Sequence, residues 1–413
     1  MQVAHLLRKY NPAEWGGTET AVKRLLDGLR FHGIENVVYC PRLHQSLTFD
    51  PLAETGCEIK RYNAFVPVWG ISPEQKKQLV SVGGNLMSLD LPAALMAEKN
   101  LSVIHTHTGN RLGGIALTVA RKKKIPLVAS IHGGVLDLPE QTKEYLRKPL
   151  EGGVEWGKVF GLFLRSRQVL EQADAIITCN RREAELLRAK FPEKRIVVQA
   201  HGVPADIYAR PQRQAALEAF PQLTGKQVLL AVGRLDPVKN QKWLVEQFPR
   251  IVAKFPNTVL VLAGSCTDAA YGDQLNRTIC ELGIERQILL TGGLPPGDPR
   301  LIGLFQMADA VLLPSISETF GLVILEAWAA GTAVISSRTS GALEMVEVGK
   351  NGWLFDLDNP AGFHSAVDEA LSNQGLATRF AAAGQALVKE KFDTNVLAAQ
   401  VKKLYEELIK EKK

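Results

Sequence analysis

Two cations in the second half of the chain stand at a spacing that could serve chemistry on a phosphate-linked ligand. Arg234 and Lys239 follow the apolar run LLAVG in the stretch LLAVGRLDPVKN. Cations at the end of a buried strand can converge on an anion, and arginine offers a bidentate grip. A departing diphosphate needs such neutralisation as its charge develops. The alternative is an ordinary surface Arg and Lys that solvate a loop.

Two carboxylates, Glu318 and Glu326, are separated by seven residues in ETFGLVILEAWAAG. This pattern predicts a loop and then a helix closed by Gly331, with Glu318 just ahead of the helix. The first N–H groups of such a helix point outward and can bind phosphate or sugar oxygens. Glu326 lies inside an apolar helix, where an unpaired carboxylate is costly, and a ribose diol would satisfy it. The alternative makes Glu318 a helix cap and pairs Glu326 with an internal arginine or a backbone amide.

The elements that must position these side chains form two successive sets of short apolar strands, each alternating with helical stretches. This alternation predicts an α/β fold of two Rossmann-like, doubly wound domains with parallel sheets. The first set comprises residues 2–8, 36–41, 57–62, 102–107, 127–132, 175–180 and 195–200. The second set comprises residues 228–235, 259–265, 287–293, 310–315, 333–338 and 352–356. A stretch rich in Pro, Gly and polar residues, 202–227, predicts the connection between the domains, and ligands are expected in a cleft at the carboxyl ends of the strands.

The length and composition are those of an ordinary globular chain. At 413 residues it is too long for one compact core. No apolar run approaches the roughly 18 residues that cross a bilayer, and the first residues lack the pattern of a signal peptide. The five cysteines are scattered with no CxxC pair, which suits a reducing compartment. We therefore expect a cytoplasmic protein.

The net charge of +6 is unevenly distributed. Residues 1–205 carry an excess of eight basic side chains, and the remainder carries an excess of two acidic ones. A basic half favours an anionic partner, such as a phosphorylated acceptor or an acidic lipid surface, or it simply aids solubility. The run RKKK at 121–124 allows weak peripheral contact with the inner face of a membrane, or it is a solvated helix end.

The stretches GRLDPVKN, ETFGLVILE and AAGTAVISSRTSGALEMVEVGKNGWLFD resemble the retaining glycosyltransferases of family four, the glycosyl transferases group 1. The resemblance spans nearly the whole chain and is most specific in residues 228–358. It implies the GT-B fold, with two Rossmann-like domains facing a central cleft. It also implies an acceptor-binding domain at residues 1–203, joined by a carboxyl-terminal helix at about 394–413, and a nucleotide-sugar-binding domain at residues 204–393.

The same resemblance assigns roles to residues of the second domain. Arg234 and Lys239 would hold the donor diphosphate, Glu318 would bond the sugar hydroxyls, and Glu326 would take the ribose. The further donor contacts that it implies are the backbone amides of Phe320, Gly321 and Leu322, and the backbone near Gly293 and Leu294, where the base would lie.

Smaller matches occur in the amino-terminal half. Gly16 and Gly17, in EWGGTE, would let the backbone approach a bound phosphate or sugar closely, or they form an ordinary tight turn. His132 ends the strand LVASIH, where similar enzymes point a histidine at the transferred sugar; a structural role is the alternative. His105 and His107 alternate in IHTHTG and suggest a metal pair, but no third ligand of suitable spacing follows, so zinc is not predicted.

Some positions depart from the family pattern. Asn240 and Thr319 stand where glycine is frequent, QAHGV replaces the more usual Asn-Gly-Val, and Ser340-Gly341 replaces Gly-Gly. None of these removes a charged site residue, so they bear on the donor sugar and the shape of its pocket. Asp356-x-Asp358 resembles a manganese motif, but it predicts a turn with Asx capping.

The sequence thus predicts a retaining transferase that moves a sugar from a nucleotide diphosphate sugar, UDP-linked or alternatively GDP-linked, to a hydroxyl of a sugar, lipid-linked or other acceptor. Synthesis of glycans, glycolipids or cell-envelope polysaccharides is the expected setting. No cofactor, metal or nucleic acid is expected, since two cations and a helix dipole would already face the diphosphate. The alternatives are a sugar-nucleotide epimerase of the same fold and a non-catalytic nucleotide-sugar-binding protein. A nicotinamide oxidoreductase is disfavoured because no G-x-G-x-x-G follows the first strand.

Overall fold

The computed structural model describes residues 1–9, 16–42, 52–82, 86–132, 135–136, 150–266 and 268–412, without the side chains of residues 81 and 82. The chain divides into two compact units. The first comprises Met1–Ala200 and Leu397–Lys413, and the second comprises His201–Val396. Each unit is built around its own parallel sheet, which confirms the predicted α/β class.

The first unit has a seven-stranded parallel sheet in the order β3-β2-β1-β4-β5-β6-β7. Its strands are β1 Gln2–Leu6, β2 Glu35–Pro41, β3 Glu58–Tyr62, β4 Leu101–Thr106, β5 Leu127–Ile131, β6 Ala175–Thr178 and β7 Ile196–Val198. The order turns back at β1, which has β2 on one side and β4 on the other. Ligands of open α/β sheets bind beyond the carboxyl ends of the strands at such a reversal.

The helices of the first unit connect these strands. They span Gly17–Phe31, Pro73–Val82, Leu91–Ala97, Asn110–Lys123, Lys158–Phe163, Val169–Gln172 and Arg181–Lys190, with short 3₁₀ turns at Ala53–Thr55 and Ser166–Gln168. The last helix of the chain, Thr394–Lys412, returns to this unit. Its buried face, which includes Val401 and Tyr405, packs in one cluster with Val3 and Val103 of the sheet.

The second unit has a six-stranded parallel sheet in the order β10-β9-β8-β11-β12-β13. Its strands are β8 Gln227–Val232, β9 Thr258–Ala263, β10 Ile288–Gly292, β11 Ala310–Leu313, β12 Val334–Ser337 and β13 Trp353–Phe355. The order reverses between β8 and β11, which pair directly.

The helices of the second unit cover both faces of this sheet. They span Ala205–Ala209, Arg213–Ala219, Gln241–Lys254, Ala269–Glu281, Pro299–Met307, Leu322–Ala329, Ser340–Met345, Pro360–Ser372 and Gln374–Leu387, with 3₁₀ turns at Pro221–Leu223 and Glu285–Gln287 and a π-helical turn at Val388–Phe392. Gly331 follows Leu322–Ala329 in a left-handed conformation, so the predicted helix end is confirmed.

Every predicted strand is present, although most end one to three residues before the prediction. The apolar runs are continuous because both faces of a parallel sheet are buried. Leu229, Leu260, Leu312 and Ile335, on four neighbouring strands of the second sheet, are completely or almost completely buried in one core. After some strands the first loop residue is buried as well, as Leu7 is after β1, so the apolar run extends past the strand end. Among the described residues, no helix combines the length and the apolar character needed to span a membrane.

Candidate functional site

Lys239 and Glu318 meet at the point where the strand order of the second sheet reverses. Lys239 lies in the loop after β8, and Glu318 lies in the loop after β11. The Lys239 ammonium donates a hydrogen bond to the Glu318 carboxylate, and about a quarter and a fifth of the two side chains are exposed. The fold thus joins two predicted site residues that are 79 positions apart in the sequence.

Asp236 holds the two predicted cations in place. Its Oδ1 accepts the backbone N–H of Lys239 at 3.0 Å, and its Oδ2 lies 3.2 Å from Arg234 Nη2. Asp236 is buried, whereas the Arg234 side chain is 48% exposed. Arg234 is therefore tethered at one nitrogen and open to a further anion. Asp236 was not among the predicted site residues, although an aspartate before a proline is a recognisable turn signal.

The loops after β8 and β9 approach each other closely at Gly264. A Cβ atom at this position would lie 1.9 Å from the carbonyl oxygen of Gly233, so no larger residue fits without moving the backbone. The bonds from Gly233 N–H to Ala263 O, 3.0 Å, and from Leu235 N–H to Ser265 O, 2.9 Å, join the same loops. Arg234 is consequently presented on a firmly connected backbone.

Asn240 connects the Lys239 loop to the end of β11. Its side-chain amide donates to the carbonyl oxygen of Pro314 at 3.2 Å. Its backbone has φ of 59°, a left-handed conformation that asparagine tolerates better than most residues. Asn240 stands where glycine is frequent in the resembled family. It keeps the left-handed backbone that glycine would adopt, and it adds a hydrogen bond between the two loops that carry Lys239 and Glu318.

The Glu318 loop is fixed by the loop after β12. The Gly341 N–H donates to Glu318 O at 2.9 Å, and the Ser340 hydroxyl donates to the same oxygen at 3.3 Å. A Cβ atom at Gly341 would lie 2.4 Å from the Phe320 carbonyl group, so this position accepts only glycine. His201 belongs to the stretch QAHGV, which also departs from the family pattern. Its ring packs edge-on against Phe320, with the ring centroids 4.9 Å apart.

The helix Leu322–Ala329 begins at this loop with its first N–H groups available. Gly321 is its N-cap and no side chain caps the helix, so the alternative role of Glu318 as a helix cap is wrong. Within the described residues, no hydrogen bond uses the N–H of Phe320, Gly321 or Leu322. The amino terminus of a helix attracts anions through these groups and through its dipole. Lys239 and this helix end therefore both place positive potential near Glu318.

Glu326 lies on the second turn of that helix and is 5% exposed. Glu326 interacts with its surroundings, and a buried carboxylate is costly unless it has partners. Gly293 and Leu294 follow β10 at the carboxyl edge of the same sheet, with Gly293 exposed and packed beside Ser265 of the loop after β9. All predicted donor-binding residues of the second unit thus lie at or near one edge of one sheet.

The first unit has a cluster of four histidines at its own reversal, between β1 and β4. His5 lies on β1, His105 on β4, His107 just after β4, and His132 just after β5. His5 Nδ1 is 3.1 Å from His107 Nε2, and His107 Nδ1 is 2.8 Å from His132 Nε2. No third partner for His105 and His107 was evident from the spacing in the sequence. The fold supplies it from the first strand, since nitrogen atoms of His5, His105 and His107 all lie within 4.8 Å of one another.

Burial lowers the pKa of three of these imidazoles. It lowers the pKa of His5 to about 4, against a smaller opposing effect of the bond to Asn36, and it lowers the pKa of His132 to about 4. Burial, followed by the charges of His5 and His132, also lowers the pKa of His105 well below its usual value. His5, His105 and His132 are therefore uncharged at neutral pH.

Gly16 precedes the helix Gly17–Phe31 and already uses its backbone N–H. This group donates to Glu19 Oε2 at 3.1 Å, and burial raises the pKa of the Glu19 carboxyl. Glu14 and Trp15 of the same motif, and Gly133 and Gly134 after His132, lie outside the described residues. Gly16 and Gly17 therefore lie at the start of a helix, beyond the carboxyl end of β1.

Two further sequence interpretations concern charged runs outside the site. The backbone carbonyl of Asp356 accepts the Asn359 N–H at 2.9 Å, and the Asp356 carboxylate lies 3.4 Å from Arg338, so the predicted turn forms. The predicted Asx capping is wrong, because no side chain caps the helix Pro360–Ser372 that follows. In the run RKKK, Lys123 ends the helix Asn110–Lys123 and its ammonium donates to the carbonyl oxygen of Glu98. At least one cation of this run thus stabilises a helix terminus.

The sequence was compared with known families and curated proteins. Residues 213–387 match the family described as glycosyl transferases group 1, and residues 16–202 match the glycosyl transferase 4-like domain. D-inositol 3-phosphate glycosyltransferase of Mycolicibacterium smegmatis is 32% identical over 225 residues, which cover 53% of this chain and 50% of that protein. The enzyme of the same name from Mycolicibacterium paratuberculosis is 34% identical over 256 residues, covering 60% and 56%. The matched stretch thus spans little more than half the length of these relatives.

Solved structures share the fold over almost the whole chain. Anabaena Alr3699/HepE in complex with UDP and glucose aligns with a TM-score of 0.73 and 18% identity, covering 98% of this chain and 99% of that one. Sucrose-phosphate synthase from Thermosynechococcus elongatus aligns with a TM-score of 0.73 and 20% identity, covering 99% of each chain. Two parallel Rossmann-like sheets and these matches establish that the chain belongs to the group 1 glycosyltransferases of GT-B fold.

Proposed function

We propose that the protein transfers a sugar from a nucleoside diphosphate sugar to an acceptor hydroxyl, with retention at the anomeric carbon. The observation that carries the proposal is the Lys239–Glu318 pair, held by Asp236 and Asn240 beside an open helix terminus at the reversal of the second sheet. Open α/β sheets bind nucleotides at this position.

The donor diphosphate is proposed to bind Lys239, Arg234 and the N–H groups that begin the helix Leu322–Ala329. Arg234 has a largely exposed guanidinium, and only one of its nitrogens faces Asp236. Two cations and a helix dipole together match the roughly two negative charges of a diphosphate. They also supply the stabilisation that a departing diphosphate requires, so we propose that transfer needs no metal.

Binding would exchange the partners of the Lys239–Glu318 pair. The Lys239 ammonium is a cation and would bond an oxygen of the diphosphate. The Glu318 carboxylate would then be able to accept hydrogen bonds from hydroxyl groups of the sugar. Glu326 is proposed to accept the ribose hydroxyls, with the base near Gly293 and Leu294. His132, Gly16 and Gly17 are proposed as ligand contacts of the first unit.

The proposed reaction breaks the bond between the anomeric carbon and the diphosphate oxygen, and it forms a bond to the acceptor oxygen on the same face. The acceptor proton passes to the departing diphosphate oxygen, so no side chain has to act as nucleophile or base. Lys239 and Arg234 stabilise the negative charge that develops on the leaving group. This is differential stabilisation of the transition state, the kind that raises the rate of the chemical step.

For the substrates, we propose a UDP-sugar donor and an anionic, hydroxylated acceptor. Structures with UDP, and with UDP-glucose, are among those that share this fold. The curated relatives are named for inositol 3-phosphate, which is a phosphorylated polyol. The excess of eight basic side chains in residues 1–205 suits such an acceptor. A GDP-sugar is the alternative donor.

A thermal-shift panel of UDP-, GDP- and ADP-sugars tests the donor, because a ligand at 100 times its dissociation constant stabilises the fold by about 2.7 kcal/mol. Transfer is then assayed with polyol phosphates and with the metal chelator EDTA present. Incubation of the donor alone separates the competing functions. An isomerised sugar nucleotide identifies an epimerase. Binding of the donor with neither transfer nor slow hydrolysis identifies a non-catalytic protein.

A further inference from the structure

A continuous chain of hydrogen bonds links Asn36 on β2 to His132 after β5. His5 Nε2 lies 3.0 Å from Asn36 Oδ1, and the chain then runs through His5 and His107 to His132. Asn36, His5 and His107 are all less than a tenth exposed. The planes of the His5 and His107 rings differ by only 11°. The backbone N–H of His107 donates to the carbonyl oxygen of Leu6 at 2.9 Å, which holds His107 beside β1.

The Asn36 amide gives this chain a direction. Its Nδ2 donates to the Ile34 carbonyl oxygen at 3.2 Å, so its Oδ1 is the atom that faces His5. A carbonyl oxygen can only accept, and His5 Nε2 must therefore carry the proton. The opposite orientation of the amide would place an oxygen against the Ile34 carbonyl oxygen.

Each neutral imidazole has one donor nitrogen and one acceptor nitrogen, so the direction propagates. His5 Nδ1 becomes an acceptor and receives the proton of His107 Nε2. His107 Nδ1 in turn receives the proton of His132 Nε2. The Nδ1 atom of His132 is consequently an acceptor.

We infer that Asn36 is a positioning residue that acts through His5 and His107 to hold all three rings in the Nε2–H tautomer and to present His132 Nδ1 as a hydrogen-bond acceptor. A ligand hydroxyl is the group that such an atom would accept. The inference rests on the proposed function only for the identity of that ligand, a sugar. Since burial disfavours a cation anywhere along the chain, His132 serves to orient a hydroxyl and not to exchange protons at neutral pH.

A divalent metal is the competing use of these rings. Nitrogen atoms of His5, His105 and His107 are close enough together to hold one. However, His5 and His107 already bond each other, and His105 bonds Tyr405 through Nδ1 at 2.5 Å and Ser130 through Nε2 at 2.6 Å. A metal would have to displace these partners.

The tautomers are measured directly by NMR of the intact protein labelled with ¹⁵N at histidine, because protonated and unprotonated ring nitrogens differ widely in chemical shift. In the wild type, we expect His5, His107 and His132 each to carry the proton on Nε2 at neutral pH. A His132 proton on Nδ1 would overturn the inference, and this result needs no variant and no ligand.

The Asn36→Leu variant removes the acceptor that sets the direction. The Nδ1–H form of His132 should then rise from below detection to a measurable fraction. The matched control is Ser130→Ala, which removes the hydroxyl group that bonds His105. His105 does not belong to this chain of hydrogen bonds, so the His132 tautomer should stay unchanged. An unchanged His132 tautomer in a folded Asn36→Leu variant contradicts the role of Asn36.

Two further measurements separate the inference from its rivals. Titration with Co²⁺ alone should give no tight binding; stoichiometric binding that His5→Ala abolishes would show that the rings serve as metal ligands instead. With UDP-glucose and UDP as probes, Asn36→Leu should reduce the preference for the sugar nucleotide over UDP. If neither probe binds the wild type, the proposed donor is wrong, while the NMR result still decides the tautomers.

Discussion

The Lys239 ammonium and the Glu318 carboxylate bond each other across the reversal point of the second sheet, between the loops that follow β8 and β11. A partly buried ion pair at this position keeps both groups ordered before a ligand arrives. It also means that an anionic ligand must compete with Glu318 for Lys239.

Replacing Lys239 with alanine should slow sugar transfer by about a hundredfold or more, because a stabilising charge on the leaving group is lost. The value of kcat/KM with the best donor of the thermal-shift panel measures the effect. Lys242→Ala is the matched control, since Lys242 lies three residues further on and pairs with Glu246 on the helix Gln241–Lys254. Transfer at the wild-type rate in Lys239→Ala would remove this residue from the mechanism.

Glu318→Gln should separate binding of the diphosphate from binding of the sugar. Loss of the ion pair frees Lys239, so UDP should bind as tightly as in the wild type or a few-fold tighter, given that such pairs contribute about 1 kcal/mol or less. UDP-glucose should lose its advantage over UDP by about tenfold, because a charged hydrogen-bond acceptor for the sugar is gone. Calorimetric titration of both ligands gives the ratio. Equal losses for the two ligands would place Glu318 at the diphosphate instead of at the sugar.

Gly341→Ala should abolish donor binding while the second unit stays folded. The new methyl group would meet the Phe320 carbonyl group at 2.4 Å and push away the loop that carries Glu318. Gly362→Ala is the control, because its methyl group would lie no closer than 3.8 Å to its surroundings. Circular dichroism checks the fold and titration with UDP checks binding. Wild-type affinity in Gly341→Ala would mean that the loop position does not matter.

The stability of the protein should fall as the pH drops from about 6.5 toward 4. His5 and His132 have a pKa of about 4 in the folded protein and the ordinary value of 6.5 when unfolded, so the unfolded chain binds more protons in this interval. Each ring stabilises the fold fully above pH 6.5 and loses up to about 3 kcal/mol of that contribution by pH 4.

Chemical denaturation across this pH interval measures the slope of the free energy of unfolding. His132→Gln should have a shallower slope than the wild type, because one buried titratable ring is gone. Equal slopes for His132→Gln and the wild type would show that His132 titrates normally in the folded protein.

The sequence was sufficient for the sheets because a buried parallel strand needs a continuous apolar run, and all thirteen runs identified became strands. It also identified Lys239 and Glu318, since each follows such a run directly. It could not show that they bond each other, because the order of the strands decides which loops meet. The choice between a capping role and a ligand-binding role for Glu318 was open for the same reason.

The missed residues, Asp236, His5 and Asn36, act through partners that the local sequence does not reveal. Asp236 bonds groups within three residues of itself, and its turn signal could have been read. His5 and Asn36 lie inside strands and bond each other across neighbouring strands, 31 positions apart. A polar residue within a buried strand was the available signal, since such a residue requires a partner.

The central claim is that a diphosphate binds at the reversal point of the second sheet, and a crystal structure with UDP-glucose tests it most directly. We predict diphosphate oxygens within hydrogen-bond distance of Lys239 Nζ and of the N–H groups that begin the helix Leu322–Ala329, with Glu318 turned to the sugar. A diphosphate bound anywhere else on the protein, with the Lys239–Glu318 pair intact, would contradict the account.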